Sequence, residues 1–286
     1  MFDKFKVGPY ICELYGEQMS IKKYVNLEDY IISNNLTVDG QLDDGGGSKF
    51  PVKGREIDAT ILFCDITNFS GRTQKLNPTE TLIFVNTFFT WITTEALLKS
   101  NGIIDKYIGD EMMIIFSKEF GSKEPFIDAV QTARWMCEND FWSFVPHFGI
   151  ASGRVIVGYA GSQLKYNCSV FGLPVAIAAR CASIKYTEQE KFVYPYIVFP
   201  DEEWGDRQVD VVLPLRQIKK PDGSPYYYPL DWKILEPKLI PMKNLPDMHI
   251  RYLIHEIVNI PSQSIQELAK EGLRFLIDSK RYWPSV

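Results

Sequence analysis

Short apolar runs alternate with helical patterns along most of the chain. Residues 58–66 are rich in β-branched and aromatic side chains, which predicts a buried strand. Two more apolar runs, residues 103–108 and 112–116, are joined through Gly109 and Asp110. We therefore predict a hairpin with Asp110 at its tip.

A helical pattern lies between the first strand and this hairpin. Asn77, Pro78 and Glu80 form a helix-start signal, with a capping residue, a proline at the first helical position and a glutamate at the third. The pattern predicts a helix that packs one face on the sheet and ends near residues 101–102. The apolar residues that recur at helical spacing are Leu82, Val85, Phe88, Phe89, Ile92 and Ala96.

A second helix is predicted over residues 124–139, followed by two separate strands over 148–151 and 154–159. The order strand, helix, hairpin, helix and strands is typical of an α+β fold. We expect an α+β sandwich with the helices on one face of the sheet.

The two ends of the chain have a different character. Apolar positions recur at helical spacing up to residue 38, and a glycine-rich stretch follows. This stretch lacks the GxxxxGK[ST] spacing of a phosphate-binding loop and no apolar strand precedes it, so we interpret it as a linker. The predicted units are a helical N-terminal extension with its linker (1–56), a main domain (57–233) and a C-terminal tail (234–286) with a helix over 262–278.

The overall composition is that of a soluble globular protein. The chain has 286 residues, 45% hydrophobic content and a formal net charge of -5. The acidic balance disfavours nucleic-acid binding, and no apolar stretch approaches the roughly 18–20 residues that span a bilayer. The N-terminal residues lack the apolar core of a secretion signal, so we expect a cytoplasmic protein without direct membrane insertion.

The five cysteines are scattered and lie mostly in apolar runs. This usage favours reduced, packed thiols over a disulfide framework. Neither a CxxC nor an HExxH spacing occurs, and the three histidines form no ligand cluster along the sequence. A structural zinc site is therefore not expected.

Two aspartates stand out against this background. Asp65 lies at the end of the first apolar run, and Asp110 lies between the two strands of the predicted hairpin. A charged carboxylate at the end of a hydrophobic strand does not contribute to apolar packing. Two such carboxylates, held close together by a sheet, can bind divalent metal ions. The pair points to phosphoryl chemistry on a nucleotide.

Four ordered segments extend this interpretation: FCDITNFS (63–70), IDKYIGD (104–110), GIASGRVIVG (149–158) and FGLPVAIAAR (171–180). In this order they resemble the motifs of the class III nucleotidyl cyclases, over roughly residues 57–233. The resemblance implies a ferredoxin-like palm. It also implies a head-to-tail homodimer in which each active site forms across the interface.

By the same resemblance, Asp65, Asp110 and the backbone carbonyl of Ile66 hold two divalent cations, Mg²⁺ or Mn²⁺. Arg180 aligns with the arginine that stabilises charge in the transition state. The implied reaction is attack of the 3′-hydroxyl of a nucleoside triphosphate on its α-phosphorus, with loss of pyrophosphate.

Two further pairs are implied to bind the substrate. Lys106 and Ser169 align with the residues that read the edge of the base. Lys219 and Lys220 fall where the family places a lysine for the terminal phosphates; the alternative interpretation is a solvated basic turn.

One departure from the family pattern concerns Ala176. The family usually has an asparagine there, four residues before the arginine, and that asparagine positions the ribose. The substitution is compatible with altered chemistry, and also with a non-catalytic homologue that binds nucleotide without turnover.

Hydrogen-bond polarity narrows the choice of base. Lysine only donates hydrogen bonds, whereas serine both donates and accepts. Lys106 therefore suits uracil O4 or adenine N1, and Ser169 suits the N–H of uracil or the amine of adenine. Guanine is disfavoured, since its reader in the family is normally an acidic residue at the position of Lys106.

The compact architecture and the altered ribose motif are most similar to the stand-alone pyrimidine cyclases of the Pycsar antiphage defence system. This resemblance implies a cyclase that converts UTP, before CTP, to cyclic UMP or cyclic CMP. The product would act on a downstream effector that senses the cyclic nucleotide. The alternative is an adenylate cyclase that makes cyclic AMP.

Overall fold

The structure, a computed structural model, describes residues 23–24, 26–35, 54–138, 140, 144–162, 165–186, 192–193, 195–214, 217–219, 225–227, 232–255, 260–261 and 265–279. Its helices are α1 (Leu27–Ser33), α2 (Phe69–Thr73), α3 (Pro78–Lys99), α4 (Pro125–Glu138), α5 (Leu173–Ser183), α6 (Asp201–Trp204), α7 (Val209–Val212) and α8 (Ile265–Ser279). Its strands are β1 (Gly54–Ile66), β2 (Ile103–Ile108), β3 (Glu111–Phe116), β4 (Pro146–Ser162), β5 (Lys165–Phe171), β6 (Phe192–Val193), β7 (Tyr196–Pro200), β8 (Gln217–Lys219), β9 (Pro225–Tyr227), β10 (Trp232–Ile234), β11 (Lys238–Ile240), β12 (Met248–His255) and β13 (Ile260–Pro261).

One mixed sheet organises the described residues. Its strand order is β10-β12-β7-β4-β1-β3-β2, with β5 added to β4 and β11 added to β12. β1 is antiparallel to both β3 and β4, whereas β4 and β7 are parallel. The predicted α+β architecture is confirmed.

β1 lies in the middle of the sheet because its side chains are buried on both faces. Leu62 and Cys64 pack on one face, and Ile61 and Phe63 pack on the other. α3, α4 and α8 cover the first face, while α1 and α5 cover the second. The prediction of helices on one face was therefore wrong for α1 and α5, since a strand that is apolar on both faces needs cover on both.

The strand β4 corrects a second prediction. Two separate strands were expected, with a break at Ser152 and Gly153. β1 instead pairs with β4 without interruption, from Gly54 opposite Gly158 to Ile66 opposite Pro146. Gly153 continues the strand at a φ of +151°, a conformation that favours glycine, and its pairing with Ala59 keeps the strand continuous.

The helix α3 begins as predicted. The Asn77 side chain accepts from the Glu80 backbone N–H, and the Glu80 carboxylate accepts from the Asn77 N–H, both at 2.9 Å. Its buried face is rotated from the expected one, because Leu82 is 68% exposed. The residues that pack against the sheet are Phe84, Phe88, Trp91 and Ile92.

The ends of the chain contribute to the sheet and its cover. β1 begins at Gly54, before the predicted start of the main domain, and β12 lies within the predicted tail but pairs with β7. The predicted tail helix corresponds to α8. Most of the predicted N-terminal helix and all of the glycine-rich linker lie outside the described residues. No helix in the described part of the chain is long and apolar enough to cross a membrane.

Candidate active site

Two neighbouring elements bring Asp65 and Asp110 together. Asp65 is the penultimate residue of β1, and Asp110 lies in the two-residue turn between β2 and β3, the strand that pairs with β1. Gly109, with φ +65°, supplies the positive φ that this tight turn needs. The two carboxyl groups share a hydrogen bond.

The two carboxyl groups have pKa values shifted in opposite directions, which makes Asp110 the acid of the pair and Asp65 the base. Burial, together with the hydrogen bond and charge of Asp65, raises the pKa of Asp110 to about 7. Burial also acts to raise the pKa of Asp65. The hydrogen bond and charge of His147 and the hydrogen bond from Asp110 outweigh burial and leave the pKa of Asp65 below its ordinary value. Without a bound cation, Asp110 therefore keeps its proton to a higher pH than Asp65 does.

His147 is a site residue that the sequence did not reveal. Its Nε2 lies 3.3 Å from Asp65 Oδ2, and its Nδ1 lies 3.1 Å from Thr67 Oγ1. Thr67 directs its hydroxyl hydrogen to the carbonyl oxygen of Val145 at 2.5 Å, so Thr67 Oγ1 can only accept from His147. The ring is thereby fixed with Nε2 towards Asp65. The contact depends on the register of β1 against β4, which places Asp65 opposite His147.

A buried arginine holds the same end of the sheet. Arg72 is 1% exposed, and its guanidinium donates to the carbonyl oxygens of Thr67 and Phe144, both at 2.8 Å. Burial lowers the pKa of Arg72 to about 10. Because Thr67 follows β1 and Phe144 precedes β4, this side chain ties together the two strand ends that carry Asp65 and His147.

The aspartate pair fits a divalent cation. Asp65 Oδ1 is buried and has no hydrogen-bond partner among the described residues. A buried carboxylate oxygen without a partner, beside a second carboxyl group, suits a hard cation, which prefers oxygen ligands. In the described part of the chain no group of three or more acidic, histidine or cysteine side chains could hold a metal ion. Backbone and substrate oxygens would therefore have to complete the coordination.

A second cluster joins the two predicted base-reading residues. Lys106 Nζ on β2 donates a short hydrogen bond to Ser169 Oγ on β5. Ser169 Oγ donates to Asp105 Oδ2 at 2.8 Å, and Lys106 Nζ lies 3.2 Å from the same Asp105 oxygen. Asp105 was not among the predicted site residues. A cavity of about 440 Å³ opens beside this cluster, and it is also lined by Leu27 and Glu28 of α1.

The helix α5 carries Arg180 and Ala176. The two residues are four apart on the helix, so they lie on one face, with Arg180 half-buried and Ala176 exposed. α5 packs directly on β4 at Gly149, where an added Cβ would lie 2.1 Å from the carbonyl oxygen of Ala178. The absence of a side chain at Gly149 thus sets how closely Arg180 approaches the sheet.

The fold matches those of several solved cyclase domains. The adenylyl cyclase CyaB from P. aeruginosa is 20% identical with a TM-score of 0.52, over 71% of this chain and 95% of that one. The guanylate cyclase domain of RhGC from Catenaria anguillulae, in complex with GTP, is 17% identical with a TM-score of 0.51, over 70% of this chain and 97% of that one. The chain has the fold of a class III cyclase catalytic domain.

Curated relatives agree with this cyclase fold. The terminal-differentiation-specific adenylate cyclase of Dictyostelium discoideum is 27% identical over 268 residues, which are 85% of this chain and 12% of that protein. The adenylate cyclase of Anabaena cylindrica is 29% identical over 133 residues, which are 42% of this chain and 26% of that protein. The chain therefore spans a small part of these relatives. No protein-family model matches the chain.

Within this cyclase fold, the structure joins Asp65 to Asp110 and Lys106 to Ser169. Ile66 is the last residue of β1 and is buried, and its backbone N–H bonds the carboxylate of Asp65. Lys219 ends the short strand β8, but its side chain and the whole of Lys220 lie outside the described residues.

Proposed function

We propose that this protein is a metal-dependent nucleotide cyclase that converts UTP, in preference to CTP, to the 3′,5′-cyclic nucleotide and pyrophosphate. The observation that carries the proposal is the juxtaposition of Asp65 and Asp110 at the ends of paired strands, with a buried and unpartnered Asp65 oxygen among the described residues, within a cyclase fold. The relatives support a cyclase in general, since those named above are an adenylyl cyclase, a guanylate cyclase and two adenylate cyclases.

The proposed metal ligands are Asp65, Asp110 and the backbone carbonyl of Ile66, for two Mg²⁺ or Mn²⁺ ions. When bound, such cations neutralise charge on the triphosphate and lower the pKa of the 3′-hydroxyl. His147 keeps Asp65 oriented, and Arg72 keeps the strand ends in place. The 3′-oxygen would give its proton to solvent and attack the α-phosphorus in line, and the bond from the α-phosphorus to the bridging oxygen would break as pyrophosphate leaves.

Three basic residues have proposed roles around the triphosphate. Arg180 offers a planar fork of donors to the charge that develops on the phosphoryl oxygens. Lys219 and Lys220 would bind the terminal phosphates. Ala176 provides no hydrogen bond to the ribose, so we expect slower turnover than an enzyme with asparagine at this position would have.

The base is proposed to lie against Lys106 and Ser169. Lys106 donates to an acceptor such as uracil O4, and Ser169 accepts from the neighbouring N–H. Cytosine presents an exocyclic amine at the position of O4, which meets the ammonium group of Lys106 unfavourably. This difference supports UTP before CTP.

A head-to-tail homodimer would complete each active site. Large apolar side chains are exposed on the two connections that carry the site residues: Tyr107 and Ile108 before the β2–β3 turn, and Phe171 and Leu173 between β5 and α5. They are 41–59% exposed, and apolar surface of this kind is typical of association sites. In the proposed dimer, Asp65 and Asp110 of one subunit face Lys106, Ser169 and Arg180 of the other.

We propose a Pycsar-like role in antiphage defence for the cyclic nucleotide. The enzyme would act in the cytoplasm, and its product would activate an effector that senses the cyclic nucleotide. This role rests on the altered ribose motif at Ala176, by which the sequence resembles the Pycsar cyclases.

Adenylate cyclase activity is the second candidate. Both curated relatives named above are adenylate cyclases, and adenine offers Lys106 an acceptor at N1 and Ser169 an amine. The non-catalytic alternative rests on Ala176 and predicts nucleotide binding without pyrophosphate release.

The deciding experiment supplies equal ATP, GTP, CTP and UTP with Mn²⁺ and identifies cyclic products by mass spectrometry. We expect cyclic UMP to predominate and Asp65→Asn to abolish it. Asp58→Asn, an exposed aspartate on the same strand, is the matched control and should keep wild-type activity. Cyclic AMP alone would establish the second candidate. Binding without any product from the folded wild-type protein would favour the non-catalytic alternative.

A further inference from the structure

The strand β2 contains an irregularity at Asp105. Ile104 pairs with Ile114 and Lys106 pairs with Met113, so Asp105 is an extra residue without a partner on β3. In a regular strand, successive side chains point to opposite faces. The bulge removes this alternation locally, and it allows Asp105 and Lys106, which are adjacent in sequence, to reach the same hydroxyl of Ser169.

The hydrogen bonds of this trio have a defined direction. Ser169 has one hydroxyl hydrogen and donates it to Asp105 Oδ2 at 2.8 Å. Lys106 can only donate, and it does so to Ser169 Oγ. One lone pair of Ser169 Oγ then receives no hydrogen bond within this trio, and a base could reach it only if the Lys106 side chain moves aside. Ser169 can therefore only accept a further hydrogen bond.

Burial helps to keep the Ser169 hydroxyl hydrogen directed at Asp105. The side chain of Asp105 is 1% exposed, whereas that of Lys106 is 39% exposed. Burial raises the pKa of Asp105, while the hydrogen bond from Ser169 and the charge of Lys106 favour its ionised form. Asp105 Oδ1 has no hydrogen-bond partner among the described residues. Asp105 and Ser169 are thus both buried, with Ser169 2% exposed, and the more exposed Lys106 covers their hydrogen bond.

We propose that Asp105 is a positioning residue that determines base specificity, because it takes the hydroxyl proton of Ser169 and leaves that oxygen as an acceptor. This inference rests on the proposed cyclase function. It adds a residue outside the base-reading pair and states how that residue acts.

The fixed polarity distinguishes the two pyrimidines. For a pyrimidine held in one orientation, uracil presents an acceptor at position 4 and a donor at position 3, and cytosine presents the reverse. A donor on Lys106 beside an acceptor on Ser169 matches uracil and opposes cytosine at both positions. If Ser169 were free to rotate its hydroxyl, it could donate to cytosine N3.

The test measures kcat/KM for UTP and CTP in the wild type, Asp105→Leu, Ser169→Ala and the double variant. Leucine cannot accept the serine hydrogen, so we expect Asp105→Leu to lower the UTP/CTP ratio about 10-fold, within the range for one mispaired hydrogen bond. In the Ser169→Ala background the same substitution should leave the ratio unchanged, because Asp105 acts through the serine hydroxyl. Glu28→Gln, which also lines the adjacent cavity, is the matched control for a lost carboxylate.

A second readout separates this inference from the proposed function. Affinities for UTP and CTP, measured by competition with Ca²⁺ in place of Mn²⁺, report base recognition even if turnover is absent. An active wild type whose ratio is unchanged in Asp105→Leu would overturn the inference and leave the cyclase function standing. An equal loss for both nucleotides, or a preference of the wild type for CTP, would also overturn it. Absence of turnover with the expected shift in binding preference would refute only the cyclase function.

Discussion

At the scale of single residues, Asp65 and Asp110 titrate as a pair. The environment depresses the pKa of one and raises that of the other to about 7, which keeps two adjacent carboxyl groups from being ionised together. Glu111, next to Asp110, also has a raised pKa, because of burial and then the charge of Asp65. This end of the sheet accumulates negative charge as the pH rises, and a divalent cation would neutralise it.

The pair gives metal-free protein a pH-dependent stability. The pKa of Asp110 rises on folding from 3.8 to about 7, so its contribution to stability is complete below pH 3.8 and is lost as the pH rises through about 7. Asp65, whose pKa is lowered, contributes stability that is present above pH 3.8 and is lost as the pH falls below that value, so it does not change between pH 5 and pH 8. In EDTA we expect the melting temperature to fall by a few degrees between pH 5 and pH 8, and Mn²⁺ to restore it most at pH 8. Thermal unfolding followed by circular dichroism measures both effects.

The variant Asp110→Asn isolates this contribution from other groups with raised pKa values. Its melting temperature in EDTA should depend less on pH than that of the wild type, and Mn²⁺ should no longer stabilise it. Asp58→Asn should behave as the wild type. An unchanged difference between pH 5 and pH 8 in Asp110→Asn would contradict the assignment to this carboxyl group.

His147 gives a second prediction at the residue scale. Replacing His147 with glutamine removes the fixed contact from Nε2 to Asp65 Oδ2, so Asp65 can rotate away from the cation. Loss of a residue that orients a metal ligand typically costs about 10-fold to 100-fold in metal affinity or activity. We expect His147→Gln to raise the Mn²⁺ concentration for half-maximal activity by about this factor.

The exposed histidine of β12 supplies the control for that experiment. His249→Gln should leave the Mn²⁺ dependence unchanged, because His249 lies on the surface. If His147→Gln lowered the melting temperature but left the Mn²⁺ dependence as in the wild type, His147 would have a packing role only.

At the scale of elements, the contact of α5 with β4 determines where Arg180 lies. Gly149→Ala would place a methyl group 2.1 Å from the carbonyl oxygen of Ala178 and 2.2 Å from the backbone nitrogen of Ala182. Neither backbone atom can move without the helix. We expect a loss of about 1–3 kcal/mol in the free energy of unfolding, measured with urea, because overpacking forces a backbone shift. Activity well below the unfolding temperature should also fall, since α5 carries Arg180.

The two readouts of Gly149→Ala test different claims. Unchanged unfolding would show that α5 tolerates the methyl group and would contradict the close approach. Reduced stability with full activity would show that the position of α5 on β4 does not limit catalysis.

The sequence predicted correctly the features that are formed by residues close together in the chain. The cap of Asn77 and Glu80 and the turn at Gly109 are of this kind, and both formed where expected. β4 was predicted as two separate strands, whereas pairing with β1 keeps Ser152 and Gly153 within one continuous strand. The membership of β12 in the sheet, within a stretch expected to be a tail, also depends on a distant partner.

The same distinction applies to the site. Asp65 and Asp110 were recognisable because each follows an apolar run, and Lys106 and Ser169 were assigned through the family resemblance. His147 and Asp105 were missed. The first depends on the register of β1 against β4, and the second on a bulge in β2, and neither leaves a pattern in the sequence.

At the scale of the whole molecule, the proposed dimer divides each active site between two chains. Asp65→Asn would remove the metal site of one half, and Arg180→Ala would remove the charge-stabilising residue of the other half. Each variant alone should be inactive. In a mixed dimer, however, one of the two composite sites receives both wild-type halves.

Mixing the two inactive variants should therefore restore activity. With free subunit exchange at equal concentrations, half of the dimers are mixed and each has one intact site, so we expect about a quarter of wild-type activity. The control mixes Asp65→Asn with Asp110→Asn, two defects in the same half, and should stay inactive. Cyclic nucleotide formation measures the rescue, and light scattering of the same samples establishes that dimers are present. Absence of rescue in dimers shown to exchange subunits would mean that each chain forms its active site alone.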